Sequence, residues 1–74
     1  MIYDYSKLNG KIKEVCNTQE VYANKLGLSA TSVNNKLNNK TPFTQNEILK
    51  SMEILNIIPE ELQQYFFTQK VEKN

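Results

Sequence analysis

The chain has 74 residues, a formal net charge of +1 and 39% hydrophobic residues, which suits a single domain with one small hydrophobic core. No apolar run approaches the roughly 20 residues that cross a bilayer as a helix. The start, "MIYDYSK", carries an early acid and no long apolar segment, so we expect no signal peptide and a cytoplasmic location.

The residue types that carry catalysis or bind metals are scarce. The sequence has one cysteine, Cys16, and no histidine, which excludes an intramolecular disulfide, the common zinc patterns and a histidine base. Cys16 lies on an apolar helix stripe, where a buried small residue is far more common than a reactive thiol. We expect no enzymatic activity, no cofactor, no metal site and no small-molecule ligand.

Charge is distributed unevenly along the chain. Between Glu20 and Glu47 there is no acidic residue, whereas Lys25, Lys36 and Lys40 all fall in that interval. The middle third is therefore a basic, asparagine-rich region in a nearly neutral protein, which favours an anionic partner for that region.

Apolar residues recur at helical spacing without a strand-like alternation, so the sequence predicts an all-α fold of five helices. The first helix is expected after Asp4, the second between Thr18 as its cap and Gly27 as its end, and the third between Ser29 and Asn39. The residues of these helices that we expect to face the core are Tyr5, Leu8, Ile12, Val15, Cys16, Tyr22, Ala23, Leu26, Val33 and Leu37.

The fourth helix is expected to open with a capping box formed by Thr44 and Glu47, and the fifth with Pro59 in its first turn. The domain is placed at residues 1–67, and residues 68–74 are expected to form a polar, frayed tail. The predicted core residues of the fourth helix are Ile48, Leu49, Met52 and Leu55.

The most informative segment is "QEVYANKLGLSATSVNNKL". It combines a small residue at Ala23, a glycine turn at Gly27, an apolar plug at Leu28, a cap at Ser29 and a buried branched residue at Val33. These five positions at fixed spacing are what a tight helix-turn-helix requires, so we expect one at helices 2 and 3.

With Gln19 added, this pattern resembles the lambda-repressor-like (Cro/C1, or XRE-type) helix-turn-helix family. A closer resemblance, carried by "YDYSKLNGKIKE", "KLNNKTPFT" and "YFFT" between Tyr3 and about Thr68, is to short Gram-positive phage and prophage proteins described as Cro-like repressors. The resemblance implies a compact five-helix lambda-repressor-like DNA-binding domain. It also implies a repressor that binds double-stranded operator DNA, usually as a homodimer, and is nucleoid-associated when bound.

The resemblance assigns Gln19 to a DNA phosphate, at a helix start where free N–H groups also attract anions. It assigns base contacts in the major groove to Ala30, Thr31, Asn34 and Asn35. Asparagine pairs bidentately with adenine, and the methyl groups of Ala30 and Thr31 suit the thymine methyl, so we expect A·T-containing half-sites. The further backbone contacts are expected from Lys36, Asn38, Lys40, Thr41 and Thr44.

Two positions depart from the family pattern. Many relatives have an apolar residue at the position of Lys36, which leaves the roll of the helix end open, and many have glycine at the position of Asn39. Asparagine tolerates the left-handed geometry of that turn at some cost.

Plainer interpretations stay open beside these. Asn34, Asn35 and Asn38 suit a solvated face, although an ordinary exposed helix uses stronger helix formers than asparagine. Phe66 and Phe67 lie about 100° apart on a helix, so one of them is either partly covered by the tail or available to a partner. The dimer contact, if present, is expected from Tyr65, Phe67 and Val71.

The alternative function is a helix-turn-helix used as a protein-interaction module, such as an antirepressor that docks on another regulator. Such a module would keep the turn pattern, but it would need no acid-free surface.

Overall fold

The computed structural model describes residues 2–70. These residues form α1 (Ser6–Cys16), α2 (Gln19–Leu26), α3 (Ala30–Leu37), α4 (Gln45–Leu55) and α5 (Leu62–Phe66), with a 3-10 turn at Pro59–Glu61 before α5. The prediction of an all-α fold with five helices is confirmed. Within residues 2–70, no helix is long and apolar enough to cross a membrane.

The helix boundaries follow the capping residues. The hydroxyl groups of Thr18, Ser29 and Thr44 accept hydrogen bonds from the first turns of α2, α3 and α4, which satisfies backbone donors that the helix leaves unpaired. The first helix begins one residue later than expected, after Tyr5. The Asp4 carboxylate still accepts a hydrogen bond of 2.9 Å from the backbone of Ser6.

The core contains most of the predicted residues, among them Leu8, Ile12, Tyr22, Val33 and Leu55, each at most 2% exposed. The prediction was wrong at Val15 and Leu49, which are 37% and 54% exposed. The inner face of α4 passes through Ile48, Ser51, Met52 and Leu55, at the spacing of one helix stripe, and position 49 lies beside that stripe.

Ser51 occupies the core position that an apolar residue would ordinarily fill. Its hydroxyl lies 2.6 Å from the hydroxyl of Tyr22 and donates to the backbone oxygen of Glu47 at 2.7 Å. Because both hydroxyl groups are hydrogen-bonded, the polar pair is accommodated in a buried site between α2 and α4.

The two ends of the described chain pair with each other. The backbone N–H of Asp4 donates to the Thr68 carbonyl at 2.7 Å, and that of Lys70 donates to the Ile2 carbonyl at 2.9 Å. The expectation of a tail that frays from residue 68 is therefore wrong for residues 68–70. Backbone pairing of this kind leaves no mark on the side-chain pattern, and Val71 lies outside the described residues.

Asn39 connects this terminal pair to the end of α3 through two hydrogen bonds, which we call the terminal clamp. Its side-chain amide accepts from the N–H of Tyr3 at 2.9 Å and donates to the carbonyl of Tyr3 at 3.0 Å. The residue has a φ of 63°, so the predicted left-handed turn is present with asparagine in place of glycine.

Candidate nucleic-acid interface

The connection between α2 and α3 is three residues long and tightly bonded. Gly27 has a φ of 78°, and its N–H and that of Leu28 return to carbonyl groups of the last turn of α2. Val33 is fully buried and Leu37 is 8% exposed, so one stripe of α3 packs inward and the opposite stripe is left outside.

The outer stripe of α3 faces the start of α2 across an open groove. The side chains of Ala30, Thr31 and Asn34 are exposed on one wall, and Gln19 lies on the other. Asn35 is only half-buried at the edge of this stripe. The structure therefore places together four of the five residues expected at the groove, since Gln19, Ala30, Thr31 and Asn34 line the same space.

Asn34 and Asn38 are linked along the helix. The Asn38 amide donates to the backbone carbonyl of Asn34 at 2.7 Å and to its side-chain oxygen at 3.1 Å. Both residues are exposed. The link restricts the Asn34 side chain before any ligand arrives, which lowers the entropy cost of a contact made by that side chain.

Lys36 does not lie on the outer face, contrary to the expectation of a backbone contact. Its ammonium group is 3.0 Å from the Glu47 carboxylate and donates to the Pro42 carbonyl at 2.9 Å. The residue is 9% exposed. The open question of the helix roll is thereby answered, because α3 turns the lysine toward α4 and a phosphate would have to compete with Glu47 for it.

At the start of α4, where a DNA phosphate was expected to bind, the carboxylate of Glu47 already occupies the helix N-terminus. The Glu47 carboxylate accepts from the N–H of Thr44 at 2.8 Å, and the Thr44 hydroxyl accepts from the N–H of Glu47 at 3.2 Å. Partial burial acts to raise the pKa of Glu47, but the hydrogen bonds from Thr44 and Lys36 outweigh it and the net pKa is lowered. Thr44 is thus a structural cap, and its helix end is already neutralised.

The remaining predicted backbone contacts lie in the turn after α3. Lys40 and Thr41 are exposed there, next to the Asn39 turn. Glu20, which the sequence pattern did not single out, lines the groove beside Gln19 and Ala30. A carboxylate at this place repels phosphate, and no lysine or arginine is among the described residues that line the groove, so the groove has no positive charge of its own.

The residues expected at a dimer contact are separated by the structure. Tyr65 is 8% exposed and packs in the core, with the ammonium of Lys7 5.8 Å from its ring centre, so it offers almost no surface to a second copy. Phe67 is 41% exposed and packs edge-on against Tyr3. Of the two described candidates, only Phe67 is placed to contact a partner.

No group of three or more histidine, cysteine or acidic side chains within residues 2–70 is arranged to hold a metal ion. Cys16 is buried, as its place on the apolar stripe indicated.

Comparison with known proteins finds a similar phage protein and a family to which the chain belongs. The comparison with curated proteins found no match. A solved structure described as the "Solution structure of the modulator of repression (MOR) of the temperate bacteriophage TP901-1 from Lactococcus lactis" is similar to this chain, with 46% identity, 97% of each chain covered and a TM-score of 0.80. A family described as "Protein of unknown function (DUF739)" matches residues 1–69, and the chain belongs to that family.

Proposed function

We propose that this chain is a phage-type transcriptional regulator that binds operator DNA through the outer face of α3. The observation that carries the proposal is the groove in which the exposed Ala30, Thr31 and Asn34 face Gln19 at the start of α2. The 46% identity to a phage modulator of repression supports a regulatory role. The proposal places the chain functionally beside the lambda-repressor-like helix-turn-helix proteins.

The side chains on this face suit base edges. An asparagine amide donates and accepts together and so matches adenine, and the Ala30 and Thr31 methyl groups suit thymine. Gln19, Asn38, Lys40 and Thr41 are the exposed residues that remain for the DNA backbone. Because Lys36 and Thr44 are engaged within the fold, we expect about four phosphate contacts per subunit, of which Lys40 supplies the one from a cation, and therefore a shallow salt dependence of affinity.

A pair of subunits would place two copies of α3 about 34 Å apart, one turn of DNA. Of the two described candidates, Phe67 is the one with exposed surface for such a homodimer contact. Sedimentation of the protein with and without operator DNA tests this point, and a strict monomer at high micromolar concentration in both conditions would remove the dimer from the proposal.

The test of DNA binding is selection of bound sites from random duplexes, followed by titration of two variants. Asn34→Ala should cost about 1 to 3 kcal/mol on the selected site and relax base preference at one position. Lys40→Ala should weaken all sequences alike. Alanine favours helix more than asparagine does, so a loss of binding in Asn34→Ala cannot be attributed to a weakened α3.

Lys7→Ala is the matched control, because Lys7 is exposed on α1 and lies beside Gln64, on a surface that shares no residue with the groove. If no duplex is retained at micromolar protein in low salt, or if the control loses as much affinity as Lys40→Ala, direct DNA reading by α3 is refuted.

A second function is favoured by the charge of the same face. Glu20 lines the groove and Glu47 neutralises Lys36, so an uncharged protein surface is as suitable a ligand as DNA. The chain would then modulate repression by docking α3 on a repressor protein. A repressor from the same phage should then bind the chain in the absence of DNA, and Thr31→Arg should abolish that complex by adding bulk and charge to the groove wall.

A further inference from the structure

A second concave surface includes the turn after α3 and shares no lining residue with the α2–α3 groove. We call it the aromatic groove. It has a volume of about 310 Å³ and is lined mainly by aromatic rings and one lysine, namely Tyr3, Tyr5, Phe43, Phe66, Phe67 and Lys40. The terminal segment, the turn after α3 and α5 all contribute to it, so it exists only in the folded chain.

The rings around this groove are packed against each other edge-on. Phe43 lies 5.5 Å from Tyr5 and 5.3 Å from Phe66, at interplanar angles of 78° and 85°. Tyr3 makes the same kind of contact with Phe67, at 6.1 Å and 84°. Edge-on packing is a favoured arrangement that holds each ring in place, so the groove is preformed.

Phe67 is only partly covered by the other rings of this cluster. It is 41% exposed, whereas the adjacent Phe66 is 2% exposed. A large ring at the rim of a preformed apolar groove offers contact area at little entropy cost. Exposed aromatic residues of this kind are enriched among the hot spots of protein–protein interfaces.

The charge of the groove is one-sided. Lys40 is its one lining residue that is charged at neutral pH, and no carboxylate is among the lining residues. Lys40 is exposed, and within residues 2–70 no acidic side chain lies within ion-pair distance of it. The groove is therefore complementary to an apolar group that has a negative charge beside it.

We propose that the aromatic groove binds a segment of a partner protein in which one aromatic or large aliphatic side chain is flanked by aspartate or glutamate. The apolar side chain packs against the accessible parts of Tyr3, Phe43 and Phe67, and the carboxylate pairs with Lys40. A volume of 310 Å³ lies at the lower end of ligand sites, so the groove holds one large side chain and not a folded surface. The inference does not require α3 to bind DNA, but it gives Lys40 and Phe67 a role in place of the DNA-backbone contact and the homodimer contact considered for them.

The experiment is a titration followed by amide NMR spectra of the full chain. The probes are two short peptides, acetyl-Glu-Leu-Phe-Glu-amide and acetyl-Lys-Leu-Phe-Lys-amide, which share the apolar centre and differ in charge. The acidic peptide should give saturable shifts at Thr41, Phe43 and Phe67, with an affinity about tenfold higher than that of the basic peptide at low salt.

Three variants sharpen the result. Lys40→Glu should reverse the preference between the peptides, and Lys13→Glu, the same charge change on α1, should leave it unchanged. Phe67→Ala should weaken both peptides, and its thermal unfolding curve shows whether the fold is kept. If Phe67→Ala does not fold, the Lys40→Glu reversal decides alone.

The proposal is overturned if neither peptide shifts the groove residues at millimolar concentration, or if both bind equally. It is also overturned if dilution of the free protein moves the same resonances, which would assign the groove to a second copy. Shifts of these residues on addition of duplex DNA, without any response to peptide, would assign it to phosphate instead. A failure of DNA binding by α3 leaves all these outcomes unaffected.

Discussion

The ion pair between Lys36 and Glu47 connects the end of α3 with the start of α4, so we expect its removal to lower the stability of the fold. Lys36→Met keeps most of the side-chain length and removes the ammonium group. The Glu47 carboxylate then keeps its hydrogen bond from Thr44 but loses its counter-charge in a site where the two side chains are 11% and 16% exposed.

The expected loss of stability follows from two opposing contributions, the attraction between the two charges and their desolvation. At 3.0 Å and an effective dielectric constant of about 20, the attraction is about 5 kcal/mol, and desolvation of the two charges offsets most of it. Removing one partner leaves the other partly buried without its pair, so we expect a loss of about 2 kcal/mol from the free energy of unfolding. In a domain of this size that lowers the melting temperature by roughly 8 to 16 °C.

The assay is urea unfolding followed by circular dichroism, in a double-mutant cycle with Glu47→Gln. Glutamine at this position can keep the capping box with Thr44, so the second variant removes charge without removing the cap. The two losses should be less than additive by about 1 to 2 kcal/mol. Additive losses, or a Lys36→Met variant as stable as the parent, would refute the assignment of Lys36 to the fold.

The remaining predictions concern acid, alkali and the terminal clamp. The pKa of Glu47 is lowered from 4.5 in the folded protein, so its contribution to stability is complete above pH 4.5 and is lost as the pH falls through the lower folded pKa. In Lys36→Met, the free energy of unfolding should decrease less over this acidic range, as measured by unfolding curves at a series of pH values. The buried site raises the pKa of Tyr22 to about 12, so stability should fall as the pH rises from 10 to 12, less steeply in Tyr22→Phe. Asn39→Gly should relieve the cost of the positive φ but lose both hydrogen bonds to Tyr3, so we expect a net loss of about 1 kcal/mol of stability. Asn56→Gly, at a φ of 56°, should be neutral or stabilising by up to about 1 kcal/mol. Equal changes in stability at the two sites would contradict the terminal clamp.

Signals that act over a few residues were interpreted correctly from the sequence. Thr18, Ser29 and Thr44 are caps, and Gly27 and Asn39 adopt the positive φ that their positions indicated. These features depend on the backbone within one turn, and their residue types carry the information directly.

Contacts between distant segments could not be predicted in the same way. The partner of Lys36 is on the next helix. Whether this lysine points inward depends on the rotation of α3 about its axis, which the spacing of Val33 and Leu37 does not determine. Tyr65 and Phe67 were expected at a dimer contact, because a small core was expected to bury only one of the adjacent Phe66 and Phe67. The structure buries Tyr65 and leaves Phe67 at the rim, because α5 is only five residues long and ends at Phe66.

The clamp by Asn39 also has a consequence for the order of folding. The contacts of α1 with α2 and of α2 with α3 join neighbours in sequence, whereas Asn39 and Tyr3 are 36 residues apart and the Tyr3–Gln69 bridge joins the two ends of the described chain. Closing such long loops costs more chain entropy than forming local contacts, so we expect the terminal pair to form after the helices have packed. The turn after α3 would then be the last part of the chain to become rigid during folding and the first to open in native-state hydrogen exchange.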